Sequence, residues 1–248
     1  MLHDLRGHMQ HIFHVGYHKT GTTWLQKRVF PTAEGAVSVH SHPVIRPLVA
    51  SLAGDEHYMP TTLRTALDEI GGRALVSYEA LVGNPWGNGP SPQQRAERLA
   101  RVVPDAKIIL TVRAPDDLRL SLYAQYINEG GYLRRPSFEE QVLSDEYLDA
   151  EAAMARWRSL FEDVLVVSYE RLRSQPEATV DEIADFADIG LHVPPPGRRD
   201  NPSLSGWRLW LLKKWNRLFR RSALNPDPWL PVPRAHLMRR ALQRSMLR

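Results

Sequence analysis

Four short apolar runs, each set between stretches of helical character, constrain the fold of this chain more than any other feature. They are His11-Ile12-Phe13-His14-Val15, Ala74-Leu75-Val76-Ser77-Tyr78, Lys107-Ile108-Ile109-Leu110-Thr111-Val112 and Val164-Leu165-Val166-Val167-Ser168. Their length and lack of a helical period predict strands. Helices are expected over Thr22 to Phe30, Gln93 to Val103, Asp116 to Asn128, Asp145 to Phe161 and Glu177 to Ala187. Pro115 precedes the third of these, and Asp116 or Asp117 can cap it. Strands alternating with helices predict an α/β fold with a mostly parallel sheet covered on both faces. Sheets of that kind collect ligands at the C-terminal ends of their strands, so residues just after a strand carry the most weight. The 248 residues include no cysteine. The chain is long enough to bury a core without staples, and disulfides, thiolate metal sites and cysteine nucleophiles are excluded.

Gly16-Tyr17-His18-Lys19-Thr20-Gly21-Thr22-Thr23-Trp24-Leu25 joins the first strand to the first helix. Free amides and the dipole at a helix start favour an anion. Gly21 allows close backbone approach, Lys19 adds a charge, and Thr20, Thr22 and Thr23 add hydroxyl donors. The segment reads as a cradle for a phosphate-like group. It is not the G-x-x-x-x-G-K-[ST] loop of many nucleotidases, because Lys19 precedes Gly21. The third strand ends in Val112-Arg113-Ala114-Pro115, with Ser121 eight residues after the arginine. An arginine fork beside a hydroxyl suits a terminal phosphate dianion. An arginine there opposes a kinase or NTPase, which needs an aspartate for magnesium at such a strand end.

Lys19-Thr20-Gly21-Thr22-Thr23 resembles the 5′-phosphosulfate loop of the sulfotransferases that use 3′-phosphoadenylyl sulfate (PAPS). Arg113-Ala114-Pro115 with Ser121, and with Tyr123 two residues on, resembles their 3′-phosphate element. The resemblance runs from about His11 to about Ser205. It implies a P-loop-like three-layer fold, and sulfuryl transfer from PAPS to an acceptor hydroxyl that leaves 3′-phosphoadenosine 5′-phosphate (PAP) and needs no metal. The donor site it implies comprises His18, Lys19, Thr20, Gly21, Thr22, Thr23, Arg113 and Ser121. Trp24 matches a tryptophan that packs on the adenine, and Tyr169 a tyrosine near the base. Arg198 and Arg199 stand where cytosolic members carry a basic loop that grips the 3′-phosphate, but the glycine pattern of that loop is absent here. Asn201 and Ser203 resemble the ending of the bacterial carbohydrate-type branch, which implies a carbohydrate or glycolipid acceptor.

Sulfuryl transfer is expected to follow the logic of phosphoryl transfer, with an in-line, loose transition state that needs positioning and charge stabilisation. Lys19 would neutralise the leaving phosphate oxygen, and a base would take the acceptor's proton. Cytosolic members of the family place a histidine after the strand that precedes the 3′-phosphate element. This chain has Ser77-Tyr78-Glu79 there. Glu79 can serve if burial raises its pKa or if proton transfer is late. Its structural alternative is a carboxylate at a helix start. His42 and then His40, in Val37-Ser38-Val39-His40-Ser41-His42, are the rival bases. His3, His8, His11, His14 and His18 crowd the start. His11 and His14 alternate in face and His18 lies in the loop, so no metal site is expected.

The formal net charge of +4 is unevenly spread. Arg198 to Arg248 holds 11 Arg and 2 Lys against 2 Asp, a net +11 on a body of −7. A basic end of this kind points to an anionic partner. Val193-Pro194-Pro195-Pro196-Gly197 reads as a break, followed by basic helices over Ser203 to Arg221 and Arg234 to Leu247. The expected organisation is a sulfotransferase α/β domain over 1–205 and a basic, aromatic helical extension over 206–248, packed on it. Trp207, Trp210 and Trp215 with the adjoining cations make 206–221 a candidate for peripheral contact with an anionic membrane or for a sugar platform. Gly130 to Pro136 reads as a mobile loop. No secretory signal or membrane-spanning run is evident, so a cytoplasmic protein is expected, peripheral at the membrane if that contact is made. A P-loop-type nucleotide kinase and a non-catalytic anion- or membrane-binding protein are the alternatives. Nucleic-acid binding would leave both nucleotide motifs unexplained.

Overall fold

In chain order the elements are β1 (Ile12–His14), α1 (Thr22–Trp24), β2 (Val37–Ser38), α2 (Ile45–Ala53), α3 (Pro60–Asp68), β3 (Ala74–Ser77), α4 (Pro92–Val102), β4 (Lys107–Val112), α5 (Pro115–Glu129), α6 (Arg135–Gln141), α7 (Asp145–Leu148), α8 (Ala150–Leu160), β5 (Val164–Ser168), α9 (Tyr169–Ser174), α10 (Pro176–Ala187) and α11 (Trp207–Phe219). They come from a computed structural model that describes residues 10–54, 58–195, 206–219, 224–225 and 229–230. The chain divides into two compact units. One spans Met1–Pro115 and Ser144–Gly197, the other Asp116–Leu143 and Arg198–Arg248.

The first unit is built on a five-stranded parallel sheet in the order β2-β3-β1-β4-β5. The four expected strands are all present. The fifth, β2, is a two-residue edge strand whose Val37 is exposed, so it carries little apolar signal. From β1 the chain turns to one side for β2 and β3, then crosses to the other for β4 and β5. Sheets with such a reversal bind ligands in the crevice beyond the C-terminal ends of the strands that flank it, here β1 and β4. β1 and β3 are buried along their whole length, as strands covered on both faces must be. Ile12, Leu75, Ile109 and Val167 pack with Leu25, Val29, Val180 and Ile183 on one face of the sheet. α8 packs against β4 and β5.

Local chemistry explains the helix boundaries. Ser91 caps α4 by accepting from the Gln94 amide, and Gln94 returns the bond to the Ser91 amide. Reciprocal caps of this kind contribute about 1 kcal/mol. The single helix expected over Asp145 to Phe161 is broken in two. Ser144 caps α7, and Asp149, held out of helical geometry, caps α8 through the Ala152 amide at 2.9 Å. Two N-caps five residues apart cannot share one helix. The segment expected as one helix from Thr22 is α-helical only to Trp24. It widens to a π turn over Leu25–Val29 and tightens to a 3-10 turn over Phe30–Thr32.

In the second unit the rings of Tyr123, Tyr126 and Phe138 pack together, with centroids 4.7–6.5 Å apart. The segment Gly130 to Pro136, expected as a mobile loop, is pinned. The Tyr126 hydroxyl accepts from the Tyr132 and Leu133 amides. Asn216 Nδ2 donates to the Gly131 carbonyl at 2.8 Å. A Cβ on Gly131 would fall 2.2 Å from the Tyr126 ring, so only glycine lets the chain lie this close. From Arg135 the segment continues as α6. The helix expected over Ser203 to Arg221 is observed as α11. That expected over Arg234 to Leu247 lies outside the described residues.

Candidate active site

The loop after β1 stays bonded to β4. The Val15 and Tyr17 amides donate to the Ile109 and Thr111 carbonyls at 2.8 and 2.9 Å. Gly16 lies between them, and a Cβ there would fall 1.7 Å from Thr111 Oγ1. Lys19 (φ 67°) and Gly21 (φ 81°) are both left-handed. A lysine in that region costs about 1–2 kcal/mol, a strain held by its surroundings. Alternating hand along a backbone turns successive N–H groups toward one point, the geometry of an anion nest. The Gly21 carbonyl then accepts from Trp24 and Leu25 and starts α1.

Beneath the loop runs a buried chain of hydrogen bonds whose direction follows from donor counting. Thr20 Oγ1 donates to the Tyr17 carbonyl, which can only accept. Thr111 Oγ1, 2.8 Å from Thr20 Oγ1, must therefore donate to it. His14 Nε2, 3.3 Å from Thr111 Oγ1, must carry the next proton. At the other end, Ser77 Oγ accepts from Gln26 Nε2 and lies 2.7 Å from His14 Nδ1. Burial keeps the ring uncharged at neutral pH, so with the proton on Nε2 its Nδ1 accepts from Ser77. Burial holds its pKa down at about 4. The Thr20 hydroxyl, expected as a donor to the anion, is wholly buried and committed to this chain.

Glu79 opens a 3-10 turn two residues after β3 and reaches the phosphate loop. Burial pushes its pKa up. Its own amide, the Thr22 hydroxyl, and the fields of His18 and His14 pull it down, and they prevail. The carboxylate is held ionised below its ordinary range, which leaves late proton transfer as the condition under which it serves as a base. Thr22 is buried and directs its hydroxyl to Glu79. His18 is fixed by Tyr147, whose oxygen accepts from the His18 amide at 2.9 Å and lies 2.8 Å from Nδ1. His42 is exposed, and its Nδ1 accepts from the Val44 and Ile45 amides at the start of α2. His40 is half-buried, with Nδ1 3.4 Å from the Ser77 carbonyl at the end of β3.

Arg113 Nη1 donates to the Lys19 carbonyl at 2.9 Å, and its guanidinium lies 4.6 Å from the centre of the Tyr169 ring. Its Nε is buried with no partner among the described residues. Tyr169 in turn flanks Gly21, where a Cβ would meet its ring at 3.6 Å. Glu170 accepts from the Ala114 amide at 3.1 Å and the Ser168 hydroxyl at 2.8 Å, tying the turn after β4 to the end of β5. Lys19, Gly21, Arg113 and Tyr169, far apart in sequence, are thereby brought together.

Residues 55–192, more than half of the chain, match the profile of the sulfotransferase family. The chain belongs to the sulfotransferase family. The matched span holds β3 to β5 but not the phosphate loop, so the loop's place beside Arg113 is an observation independent of that match. A sulfotransferase from Alicyclobacillus acidocaldarius has a similar fold. It is 18% identical, with a TM-score of 0.55 over 78% of this chain and 87% of that one. A mouse sulfotransferase solved with PAP is 17% identical, with a TM-score of 0.45 over 84% and 63%. The sulfotransferase domain of the curacin biosynthetic pathway is 14% identical, with a TM-score of 0.44 over 96% and 98%. No curated protein sequence matches the chain.

The remaining residues that the sulfotransferase pattern implicates are placed as follows. Trp24 is half-buried against the core cluster of Leu25, Val29 and Ile183. Thr23 is half-buried in the first turn of α1, and Ser121 half-buried on α5 in the second unit. Arg198 and Arg199 lie outside the described residues. Sequence reasoning missed His14, Ser77, Thr111, Tyr147 and Glu170. One signal for two of them was present. The phrases Val76-Ser77-Tyr78-Glu79 and Val167-Ser168-Tyr169-Glu170 echo each other, and both prove to be strand ends turning into a helix, at β3 and β5. No group of three or more His, Cys, Asp or Glu suited to a metal occurs among the described residues.

Proposed function

We propose that this sulfotransferase moves a sulfuryl group from PAPS to a hydroxyl of a carbohydrate or glycolipid, as in the bacterial carbohydrate-type branch. The observation that carries the donor assignment is the bond from Arg113 to the Lys19 carbonyl, which joins the two nucleotide elements at the crevice between β1 and β4. The amides around Gly21, with Lys19, His18 and Thr23, take the 5′-phosphosulfate. Tyr169 and Trp24 offer ring surface to the adenine. Arg113, through its unpartnered Nε, takes the 3′-phosphate; Ser121, Arg198 and Arg199 are the further residues that the family resemblance implicates there.

The acceptor oxygen attacks sulfur in line. The bond from sulfur to the phosphate oxygen breaks, Lys19 meets the charge that develops there, and the acceptor proton passes to Glu79. Because Glu79 is a weak base, its share of the proton comes late, when the oxygen has become acidic through bonding to sulfur. The Thr22 bond fixes the carboxylate beside the loop. His40 is the second candidate base, since a proton donated from Nδ1 to the Ser77 carbonyl leaves Nε2 free to accept. His42 is the third, because its Nδ1 is already engaged by the α2 amides.

Calorimetric titration with PAP, beside ATP and GTP with magnesium, tests the donor assignment. PAP is expected to bind without metal, and Lys19→Ala and Arg113→Ala each to weaken it by roughly tenfold or more. Binding of ATP in place of PAP would transfer the chain to the kinase reading. Transfer of label from sulfur-labelled PAPS to glycolipids and polysaccharides, against protein acceptors as control, tests the acceptor class.

A further inference from the structure

The two faces of α11 differ. Inward, Leu212 and Asn216 are wholly buried, and Asn216 Nδ2 donates to the Ile127 and Gly131 carbonyls at 2.7 and 2.8 Å. These bonds fix which way the helix faces. Outward, Trp207, Trp210, Lys214 and Arg217 follow at spacings of three, four and three, which places them on one stripe. All four are exposed, the two indoles by 67% and 57%. Trp229 and Leu230 bond back to the Arg217 and Leu218 carbonyls and add two more apolar side chains, 66% and 59% exposed.

Each of these exposed indoles has a cation against it. Arg208 lies 5.8 Å from the Trp207 ring, Lys214 5.7 Å from Trp210, and Arg217 4.8 Å from Trp229. Lys213 lies in the positive field of Arg134 and Lys214. α11 contains no acidic residue. An apolar protein partner would bury these charges with no anion to meet them, at a cost of several kcal/mol per ion. A lipid headgroup layer has no such conflict. Indoles settle at its boundary, and lysine and arginine reach its phosphates from the same face. No helix among the described residues is long and apolar enough to cross a membrane.

We propose that α11, with Trp229 and Leu230, docks in plane on an anionic lipid surface, with Trp207 and Trp210 at the headgroup boundary and Lys214 and Arg217 on lipid phosphates. The +11 segment from Arg198 adds long-range attraction to that surface. This inference stands apart from the donor reading, since it uses neither Lys19 nor Arg113.

The test is flotation of the full chain with vesicles of phosphatidylcholine, alone and mixed with phosphatidylglycerol, alongside PAP calorimetry and circular dichroism. The expected result is binding to the mixed vesicles only, released by salt, with a blue shift of tryptophan emission. The triple change Trp207→Ser, Trp210→Ser, Trp229→Ser should lower the bound fraction by roughly tenfold or more, with affinity for PAP unchanged. Lys214→Glu with Arg217→Glu, both on the exposed stripe, should do the same without disturbing any buried residue. No recovery with mixed vesicles overturns the proposal, as does vesicle binding undiminished in the charge-reversed pair. Capture on an anionic polysaccharide without vesicle binding also overturns it, in favour of a glycan.

Discussion

His14 Nδ1 lies 2.7 Å from the hydroxyl of Ser77, and through this contact the strand that opens the phosphate loop is tied to the strand that carries Glu79. Burial keeps the imidazole neutral there. The folded pKa of about 4 lies below the unfolded 6.5, so between those values the unfolded chain binds the extra proton. Stability is therefore complete above pH 6.5 and falls as pH drops from 6.5 to 4, by roughly 3 kcal/mol from this group. His11, likewise held below its ordinary value by burial first of all, acts in the same direction. Urea unfolding across that range should show the slope. His14→Gln, which removes the titration, should flatten it; an unchanged slope would remove His14 from the account.

Gly16→Ala should be among the most damaging small substitutions in the chain. The new methyl would fall 1.7 Å from Thr111 Oγ1, whose position is held by Thr20 and His14. Overpacking of this kind costs about 1–3 kcal/mol or more. Thr111→Ala removes the obstructing oxygen, so the double variant should be more stable than the sum of the two single losses predicts. Thermal unfolding of the four proteins measures this, and strict additivity would contradict the steric account.

Glu79→Gln should lower turnover by two or more orders of magnitude while PAP affinity stays within a factor of about two. Glu79 is ionised throughout neutral pH, its pKa being held below the ordinary 4.5. The acid limb of the rate profile should therefore be absent above the ordinary carboxylate range and appear only below it. Turnover and a rate profile left unchanged in Glu79→Gln would remove Glu79 as the base.

Asn216→Ala should destabilise the second unit by about 2–3 kcal/mol, because it strips the donors from two buried carbonyls, those of Ile127 and Gly131. Amide exchange should quicken across Gly130 to Leu133 while the strands of the first unit keep their protection. Unaltered exchange in that segment would mean that Tyr126 alone holds it.

What the sequence by itself determined is local. Short apolar runs read as strands because their side chains need only bury. The segment from Gly16 to Leu25 read as an anion loop because glycine, lysine and threonine act through the backbone they occupy. Arg113 gained weight because a strand end is a place that periodicity can locate. What only the tertiary structure decided depends on partners far away in the chain. His14 meets Ser77 across 63 residues and Thr111 across 97, and no periodicity encodes a contact that exists only because β1 lies between β3 and β4. The break at Asp149 depended on two competing caps. Which of the two conditions for Glu79 applies was likewise a matter of distant neighbours. Burial could be anticipated from its place after a strand, but the Thr22 hydroxyl and the His18 field that reverse its effect arrive only when the phosphate loop folds over β3. Propensity and turn chemistry are properties of neighbours in sequence; hydrogen-bond direction, burial and charge balance are properties of neighbours in space.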